Sequence, residues 1–244
     1  MRNLIIGIIT LLFFSLSIRT ASAEESFFAL DFTATPSAHI LIPDHTDFQV
    51  ETNNKFTWSA WLYFYSTSNN NLPRIIEKGW HYSCIMGNQT NFRKNQFCSE
   101  VASGPSKLAT EYWGTTRLVT GRWYHYTFVF DNGIGLHYIN GQPEQMVILG
   151  QSYAYPLAST VGKALRIGNS AGLDRNFGGL ISKVRFYQNR ALTASKVRQL
   201  FLHDNVTQDR VGKWDMDEGE GITVLDSSGN NHNGSIQGAV WVEL

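Results

Sequence analysis

The chain has 244 residues and a formal net charge of zero, because 20 Lys and Arg residues balance 20 Asp and Glu residues. Nucleic acids and anionic membranes attract proteins with a basic excess, so this balance argues against both kinds of partner. Charged residues make up 16% of the sequence and aromatic residues 13%, which is typical of a folded β protein and not of a disordered chain.

The N-terminal residues 1–23 have the three parts of a secretory signal peptide. Arg2 supplies the positive start, residues 4–16 form an apolar run, and residues 21–23 (Ala-Ser-Ala) resemble a cleavage site. The apolar run is short for a membrane span, and no later segment is apolar enough to cross a bilayer. We therefore expect residues 24–244 to be one exported domain, secreted or periplasmic, without a membrane span.

Strand patterns follow one another along most of the remaining chain. Residues 56–65 are aromatic and alternating, which is typical of a central strand. Residues 123–141 predict a hairpin, because two alternating runs flank an Asp-Asn-Gly turn that tolerates positive φ angles. The other predicted strands are residues 27–32, 39–42, 74–78, 81–86, 96–102, 144–149, 164–167 and 180–187.

One short helix is predicted near residues 193–203. Thr193 can cap its N-terminus, and Val197, Leu200 and Phe201 fall on one face at helical spacing. Many short strands with no α/β alternation predict an all-β fold, namely an antiparallel two-sheet jelly-roll sandwich.

The two cysteines are Cys84 and Cys98. A hairpin that turns near residues 91–95 would bring them together, and in an exported protein such a pair most often forms a disulfide. Closing this loop would add about 3 kcal/mol of stability. The alternatives are a metal pair or a nucleophilic thiol, although two cysteines without a C-x-x-C neighbour make a poor zinc site.

Five motifs in the right order resemble the laminin G-like, or concanavalin A-like, jelly-roll family. They are residues 29–44 (ALDF…ILIPD), 56–62 (FTWSAWL), 76–79 (IEKG), 123–141 (WYHYTFVFDNGIGLHYING) and 177–193 (FGGLISKVRFYQNRALT). The hairpin at 123–141 is the most specific of them. The resemblance covers nearly all of residues 24–244 and implies a sandwich whose loops bind carbohydrate or protein.

The C-terminal segment, residues 211–244, carries a further family motif in an unusual place. Residues 214–219 (WDMDEG) and 226–234 (DSSGNNHNG) resemble a family motif that usually comes before the strand with the sequence ALxF, which here is residues 29–32 (ALDF). We expect a circular permutation, in which this segment folds beside residues 27–32 and completes the same sandwich. The competing interpretation is the truncated start of a second repeat, but a lone piece of a sandwich could not bury its apolar face.

The resemblance also implies a structural calcium site in the loop that begins at Asp226. Asp226 and Asn230 would supply oxygen ligands, with Glu218 or Asp31 nearby. However, residues 182–183 (Ser-Lys) stand where the family often has two aspartates, and a lysine ammonium would repel the ion. The alternative is an Asx turn that holds the loop. No other cofactor is expected.

Carbohydrate binding needs aromatic faces for stacking and a few polar groups to orient hydroxyls. The candidate ligand-binding residues near predicted loops are Trp80, His81, Tyr82, Trp113, Arg117, Tyr153 and Tyr155. For any single aromatic among them, packing is the alternative role. Most of the remaining large aromatics, including Trp58, Trp61 and Trp123, are assigned to the core.

No catalytic residues are predicted. Glycosidases on related folds place paired carboxylates on one strand, and no such acidic alternation occurs here. Asp215 and Asp217 could share a face, so a polysaccharide-cleaving hydrolase or lyase remains the alternative, and His125 is predicted to be structural. We predict an exported, non-catalytic module that recognises a glycan or an extracellular protein through loops at one rim of the sandwich.

Overall fold

The structure is a computed structural model that describes residues 27–65, 72–85, 93–150 and 156–244. The predicted signal peptide, residues 1–23, lies outside these ranges. Within them the chain is mostly β-strand, with one α-helix and one short 3-10 helix, so the all-β prediction is confirmed. The described part of the chain has no helix that is long and apolar enough to cross a membrane.

The strands are short, and positive-φ residues occupy many of the turns between them. Between β8 and β9, Asn132 and Gly133 have φ angles of 48° and 96°, and they form the predicted hairpin turn. The α-helix, α1, spans Ala194–His203, and the 3-10 helix spans Thr46–Phe48. In chain order the strands are β1 Phe28–Asp31, β2 His39–Ile42, β3 Lys55–Phe64, β4 Arg74–Lys78, β5 His81–Ile85, β6 Phe97–Ser103, β7 Leu108–Gly114, β8 Trp123–Asp131, β9 Ile134–Ile139, β10 Gln142–Pro143, β11 Met146–Gly150, β12 Leu165–Ile167, β13 Gly179–Gln188, β14 Arg210–Trp214, β15 Thr223–Val224, β16 Gly234–Gln237 and β17 Val240–Glu243.

In the described residues, two antiparallel sheets form the sandwich. The first has eight strands in the order β10-β9-β8-β3-β13-β1-β17, with β14 also paired to β13. The second has nine strands in the order β11-β7-β6-β5-β4-β12-β2-β16-β15. The C-terminal segment enters both sheets: β17 pairs with β1, and β16 pairs with β2.

The core lies between the sheets and follows the period-two alternation of the strands. On β3, Phe56, Trp58 and Leu62 point inward and are fully buried. The Trp58 indole N–H donates to Ser83 Oγ of β5 at 2.7 Å, which satisfies its one polar group inside the core. The ring of Phe128 from β8 packs 6.1 Å from the Trp58 ring.

The helix covers part of the outer face of the first sheet and leaves the rest open. Thr193 caps α1 as predicted, because its Oγ1 accepts the Lys196 N–H. Val197 and Leu200 are buried against outward side chains of the first sheet. Beyond Ser59, the outward side chains of β3 are only partly covered: Trp61 contacts Phe201 of α1, and Trp61 and Tyr63 are both half-buried.

The two cysteines lie next to each other as predicted, but they are not bonded. Cys84 and Cys98 lie directly opposite each other on β5 and β6, yet both are buried free thiols and the predicted disulfide is not formed. Burial, together with a hydrogen bond to Cys84, raises the pKa of the Cys98 thiol well above its usual value. Because the thiolate is the reactive form, this environment disfavours oxidation.

Candidate functional site

The open end of the first sheet carries a group of outward aromatic side chains. Trp61 and Tyr63 of β3 lie opposite His125 and Trp123 of β8. The Tyr63 ring is 5.5 Å from the Trp123 ring and 5.6 Å from the Tyr65 ring, between centroids. Trp61, Tyr63 and Trp123 are half-buried and Tyr65 is 44% exposed. We call these four residues the aromatic platform.

The ring of Trp61 is held in place by its neighbours. Phe201 of α1 stacks on it with 5.7 Å between centroids and 29° between planes. His125 packs 5.3 Å away, and burial lowers the pKa of His125 to about 4. This histidine is therefore neutral at physiological pH and acts as packing for the platform.

A cleft of about 450 Å³ opens beside the platform. A β-bulge in β13 places Lys183 in the left-handed region, with φ of 49°, and exposes its side chain. Lys213 of β14 and Asp215 and Asp217 of the following loop also line it. The cleft is lined by Phe27, Phe28, Trp61, Trp123, Ser182, Lys183, Asp204, Lys213, Asp215, Asp217 and Leu244.

Asp215 is a fixed hydrogen-bond acceptor at the edge of this cleft. Its carboxylate pairs with the buried Arg185 and accepts from Lys213 Nζ and Ser227 Oγ, each at 2.9 Å. Burial alone would raise the pKa of Asp215, but Arg185, Lys213 and Ser227 outweigh it and hold the pKa below its usual value. Asp215 is therefore ionised at neutral pH and poorly suited to act as a general acid.

A second cleft, of about 390 Å³, lies on the outer face of the second sheet. Its polar lining holds the neighbouring loop, because Glu77 accepts the Ala171 N–H at 2.7 Å and Arg74 Nε at 3.2 Å. The lining residues are Arg74, Glu77, Gly79, Trp80, Tyr82, Glu100, Ser170, Ala171, Gly172, Asp174 and Arg175.

Cations already cover the aromatic rings of the second cleft. The Lys107 ammonium lies 3.8 Å from the Trp80 ring centroid, and the Arg74 guanidinium lies 3.3 Å from that of Tyr82. The Tyr82 hydroxyl also donates to Glu100 at 2.7 Å. A cation therefore covers one face of each ring, so less aromatic surface is left for a sugar here than at the platform.

Comparison with known proteins places this architecture in a family. The sequence profile of the concanavalin A-like lectin/glucanases superfamily matches residues 34–198. The chain belongs to this superfamily. The resemblance seen in the sequence motifs is therefore confirmed, and a search of curated proteins finds no match.

Several solved structures align with this chain. A candidate carbohydrate-binding protein from Bacteroides ovatus ATCC 8483 aligns with a TM-score of 0.66 and 20% identity, over 90% of this chain and 60% of that one. A pentraxin from Limulus polyphemus aligns with a TM-score of 0.45 and 14% identity, over 74% of this chain and 84% of that one. Domain 4 of the arabinanase AbnA from Geobacillus stearothermophilus, in complex with arabinotriose, aligns with a TM-score of 0.43 and 26% identity, over 60% and 66%. The chain therefore spans 60% of the length of the Bacteroides protein, and that likeness supports the fold alone.

Those predicted ligand-binding residues that the structure describes do not come together at one site. Trp80, which is 38% exposed, and the buried Tyr82 line the second cleft. Trp113 is buried and packs with the two cysteines. Arg117 is exposed between β7 and β8 and lines neither cleft.

His81 points into the interior. It is fully buried, its Nε2 lies 3.0 Å from Ala158 O, and burial lowers its pKa to about 4. It has no exposed surface to offer a ligand, because alternation along β5 turns it to the core side. Tyr153 and Tyr155 lie outside the described residues.

The assignment of Trp61 and Trp123 to the core is wrong, whereas that of Trp58 is right. Trp61 comes three positions after Trp58, an odd spacing, so in a strand the two side chains point to opposite faces. The signal was present in the alternation of residues 56–65, in which one set of positions fills the core and the other builds the platform.

The loop at Asp226 is held by hydrogen bonds of the Asx-turn kind. One carboxylate oxygen accepts the N–H groups of Lys213 and Ser228, and the other accepts the N–H of His232 and the Ser228 hydroxyl. Asn230 Nδ2 donates to a backbone oxygen, that of Val211.

The other two predicted calcium ligands bond locally. Glu218 accepts the Leu225 N–H at 2.6 Å, and Asp31 accepts the Thr33 N–H at 2.7 Å. Among the described residues, the carboxylates of Asp31, Glu218 and Asp226 are not gathered within metal-ligand distance of one another. Calcium binding remains an untested expectation.

Proposed function

We propose that the protein is a non-catalytic module that binds carbohydrate at the aromatic platform and its adjoining cleft. The observation that carries the proposal is the row of partly exposed rings of Trp61, Tyr63 and Trp123, bordered by the fixed carboxylate of Asp215. Sugar rings pack their C–H faces on aromatic rings, and their hydroxyls bond to charged and polar groups at the edge. Export directed by residues 1–23 would present this surface outside the cytoplasm.

The charges of the cleft favour a neutral polyhydroxylated ligand. Lys183 and Lys213 offer donors, while Asp204, Asp215 and Asp217 offer acceptors. The buried Arg185 pairs with both Asp204 and Asp215, so three cations face three carboxylates. The two signs are mixed in one small space, so neither a polyanion nor a polycation gains a net attraction. A hydroxyl group, which both donates and accepts, can pair with either sign. This site lies on the face of a sheet, and the loop rim suggested by the sequence is therefore not the surface that we propose.

Binding without cleavage agrees with the state of the acidic groups. The ionised Asp215 has no proton to donate to a leaving group. In the second cleft, burial and the nearby Glu111 raise the pKa of Glu100, as a general acid would need. However, Glu100 accepts the Tyr82 hydroxyl, and the neighbouring Glu77 is engaged by Arg74 and a backbone amide.

Retention on insoluble polysaccharides and calorimetry with soluble oligosaccharides test the proposal on the full chain. Trp61→Ala and Trp123→Ala each remove one platform ring, and Trp80→Ala is the matched control on the opposite sheet. Losing roughly 80 Å² of ring contact at about 25 cal/mol per Å² costs about 2 kcal/mol. Affinity should then fall about 30-fold in each platform variant and remain unchanged in Trp80→Ala.

Three outcomes would refute this assignment. They are no binding to any glycan of the panel, unchanged affinity in both platform variants, and a loss confined to Trp80→Ala. Reducing ends and unsaturated products are measured in the same incubations. Their release by the unmodified chain would favour the alternative, a polysaccharide-cleaving enzyme.

A further inference from the structure

A cluster of metal-ligating side chains lies outside both clefts. His232 Nε2 is 2.8 Å from Asp47 Oδ2, and His45 Nδ1 is 3.3 Å from the same oxygen. One potential ligand atom from each of His45, Asp47 and His232 lies within 4.8 Å of the other two. The cluster joins two segments that are 185 residues apart in the sequence.

The fold positions the first two side chains through the 3-10 helix Thr46–Phe48. His45 is the N-cap of this helix, and its Nδ1 lone pair accepts the Asp47 N–H at 3.2 Å. An ion bound at Nδ1 would replace this hydrogen bond, because the nitrogen has one lone pair to give. Gln188 Nε2 of β13 donates to the carbonyls of Thr46 and Gln49, at 3.0 and 3.1 Å. This short turn is therefore anchored to the first sheet, which fixes the spacing of His45 and Asp47.

His232 is fixed by its own backbone and by its ring. Its N–H donates to Asp226 at 2.9 Å, and its carbonyl accepts the indole N–H of the buried Trp214 at 2.8 Å. Its ring meets the buried Phe48 ring edge-on, with 4.7 Å between centroids. A ligand whose backbone and ring are both restrained loses little freedom when it binds an ion.

We propose that His45, Asp47 and His232 bind a divalent transition-metal ion, with Zn²⁺ the best match. Two imidazoles and one carboxylate suit Zn²⁺, Ni²⁺ and Cu²⁺, whereas Ca²⁺ and Mg²⁺ prefer oxygen ligands alone. Three protein ligands leave a fourth tetrahedral position for water. The His45 side chain is 50% exposed and that of His232 is 10% exposed, so the ion can enter from solvent on the His45 side.

The expected role of the ion is to clamp the C-terminal segment to residues 45–47. The ligands come together only in the folded chain, so metal binding stabilises the folded state. The competing interpretation is a hydrogen-bonded His-Asp-His group that needs no ion. The two interpretations differ in whether added metal changes stability. Metal binding at this cluster does not require the carbohydrate site.

Calorimetric titration of Zn²⁺ into the untagged full chain, stripped of metal by a chelator, tests the inference. We expect one ion per chain and a rise in the thermal midpoint of roughly 5–10 °C at a hundredfold excess over the dissociation constant. His45→Ala and Asp47→Asn should each weaken binding at least about tenfold. His203→Ala, at the exposed end of α1, is the matched control and should bind as the unmodified chain does.

His45→Ala is the decisive variant because His45 is half exposed and its removal should leave the fold intact. Its far-ultraviolet circular dichroism and metal-free thermal midpoint are compared with those of the unmodified chain. The inference is overturned if Zn²⁺, Ni²⁺ and Cu²⁺ all fail to bind, or if His45→Ala binds as tightly as the unmodified chain. Binding of Ca²⁺ with no binding of Zn²⁺ would overturn it equally.

Discussion

Replacing Asp226 by Ala removes the anchor of the loop that follows β15. The nearly buried carboxylate accepts three backbone N–H groups, from Lys213, Ser228 and His232, and the Ser228 hydroxyl. An orphaned buried donor costs about 1–3 kcal/mol, and water can reach part of this loop, so we take about 1 kcal/mol for each amide. The expected loss is about 3–4 kcal/mol, or roughly 6–15 °C in thermal midpoint for a chain of this size.

Thermal unfolding of the variant, followed by circular dichroism with a chelator and again with added calcium, measures this loss. If Asp226 acts through hydrogen bonds, the decrease is the same in both buffers. Asp226→Asn keeps one oxygen acceptor and should lose about half as much. Glu220→Ala, an exposed acidic residue of the same segment, should change the midpoint by no more than about 1 °C.

A decrease in stability that appears only when calcium is present would refute the anchor role and support a calcium ligand. A midpoint close to that of the unmodified chain in both buffers would refute both roles. The experiment therefore decides between the two interpretations of this loop that the sequence leaves open.

Two further predictions concern the Asp215 carboxylate and the thiols of Cys84 and Cys98. The folded-state pKa of Asp215 is lowered, so its stabilisation is complete above the unfolded value of about 3.9 and is lost as the pH falls through the folded value. In urea unfolding, Asp215→Asn should therefore show a weaker loss of stability on acidification below about pH 4 than the unmodified chain, and equal pH dependence would contradict this. Both thiols are buried and burial raises the pKa of the Cys98 thiol, so mild oxidation of the folded chain should leave both cysteines as free thiols when they are titrated after unfolding; a Cys84–Cys98 disulfide formed under these conditions would contradict this.

The sequence predicts the scaffold well because local alternation and turn chemistry act over a few residues. The strand at 56–65, the hairpin at 123–141 and the helix near 193–203 all occur as predicted. The platform is the exception, although the alternation of β3 contains its signal. Residue type alone places Trp61 and Trp123 in the core, whereas the parity of their positions in β3 and β8 decides which face of the sheet they occupy.

Other parts of the candidate sites have no local signal. Asp215 reaches the platform only because β14 pairs with β13 beside the bulge at Lys183. His45 and His232 meet only because the 3-10 helix and the C-terminal segment pack together. Each such contact depends on the relative placement of distant strands, which no short window of sequence specifies.

The two proposed sites share one structural support. One carboxylate oxygen of Asp226 accepts the backbone N–H of Lys213, a residue that lines the cleft. The other oxygen accepts the backbone N–H of His232. A clamp between residues 45–47 and His232 would therefore restrain the same loop that positions the Lys213 edge of the carbohydrate surface. Because both sites draw on the docked C-terminal segment, a metal ion that favours this docked state would also favour the state competent to bind the glycan.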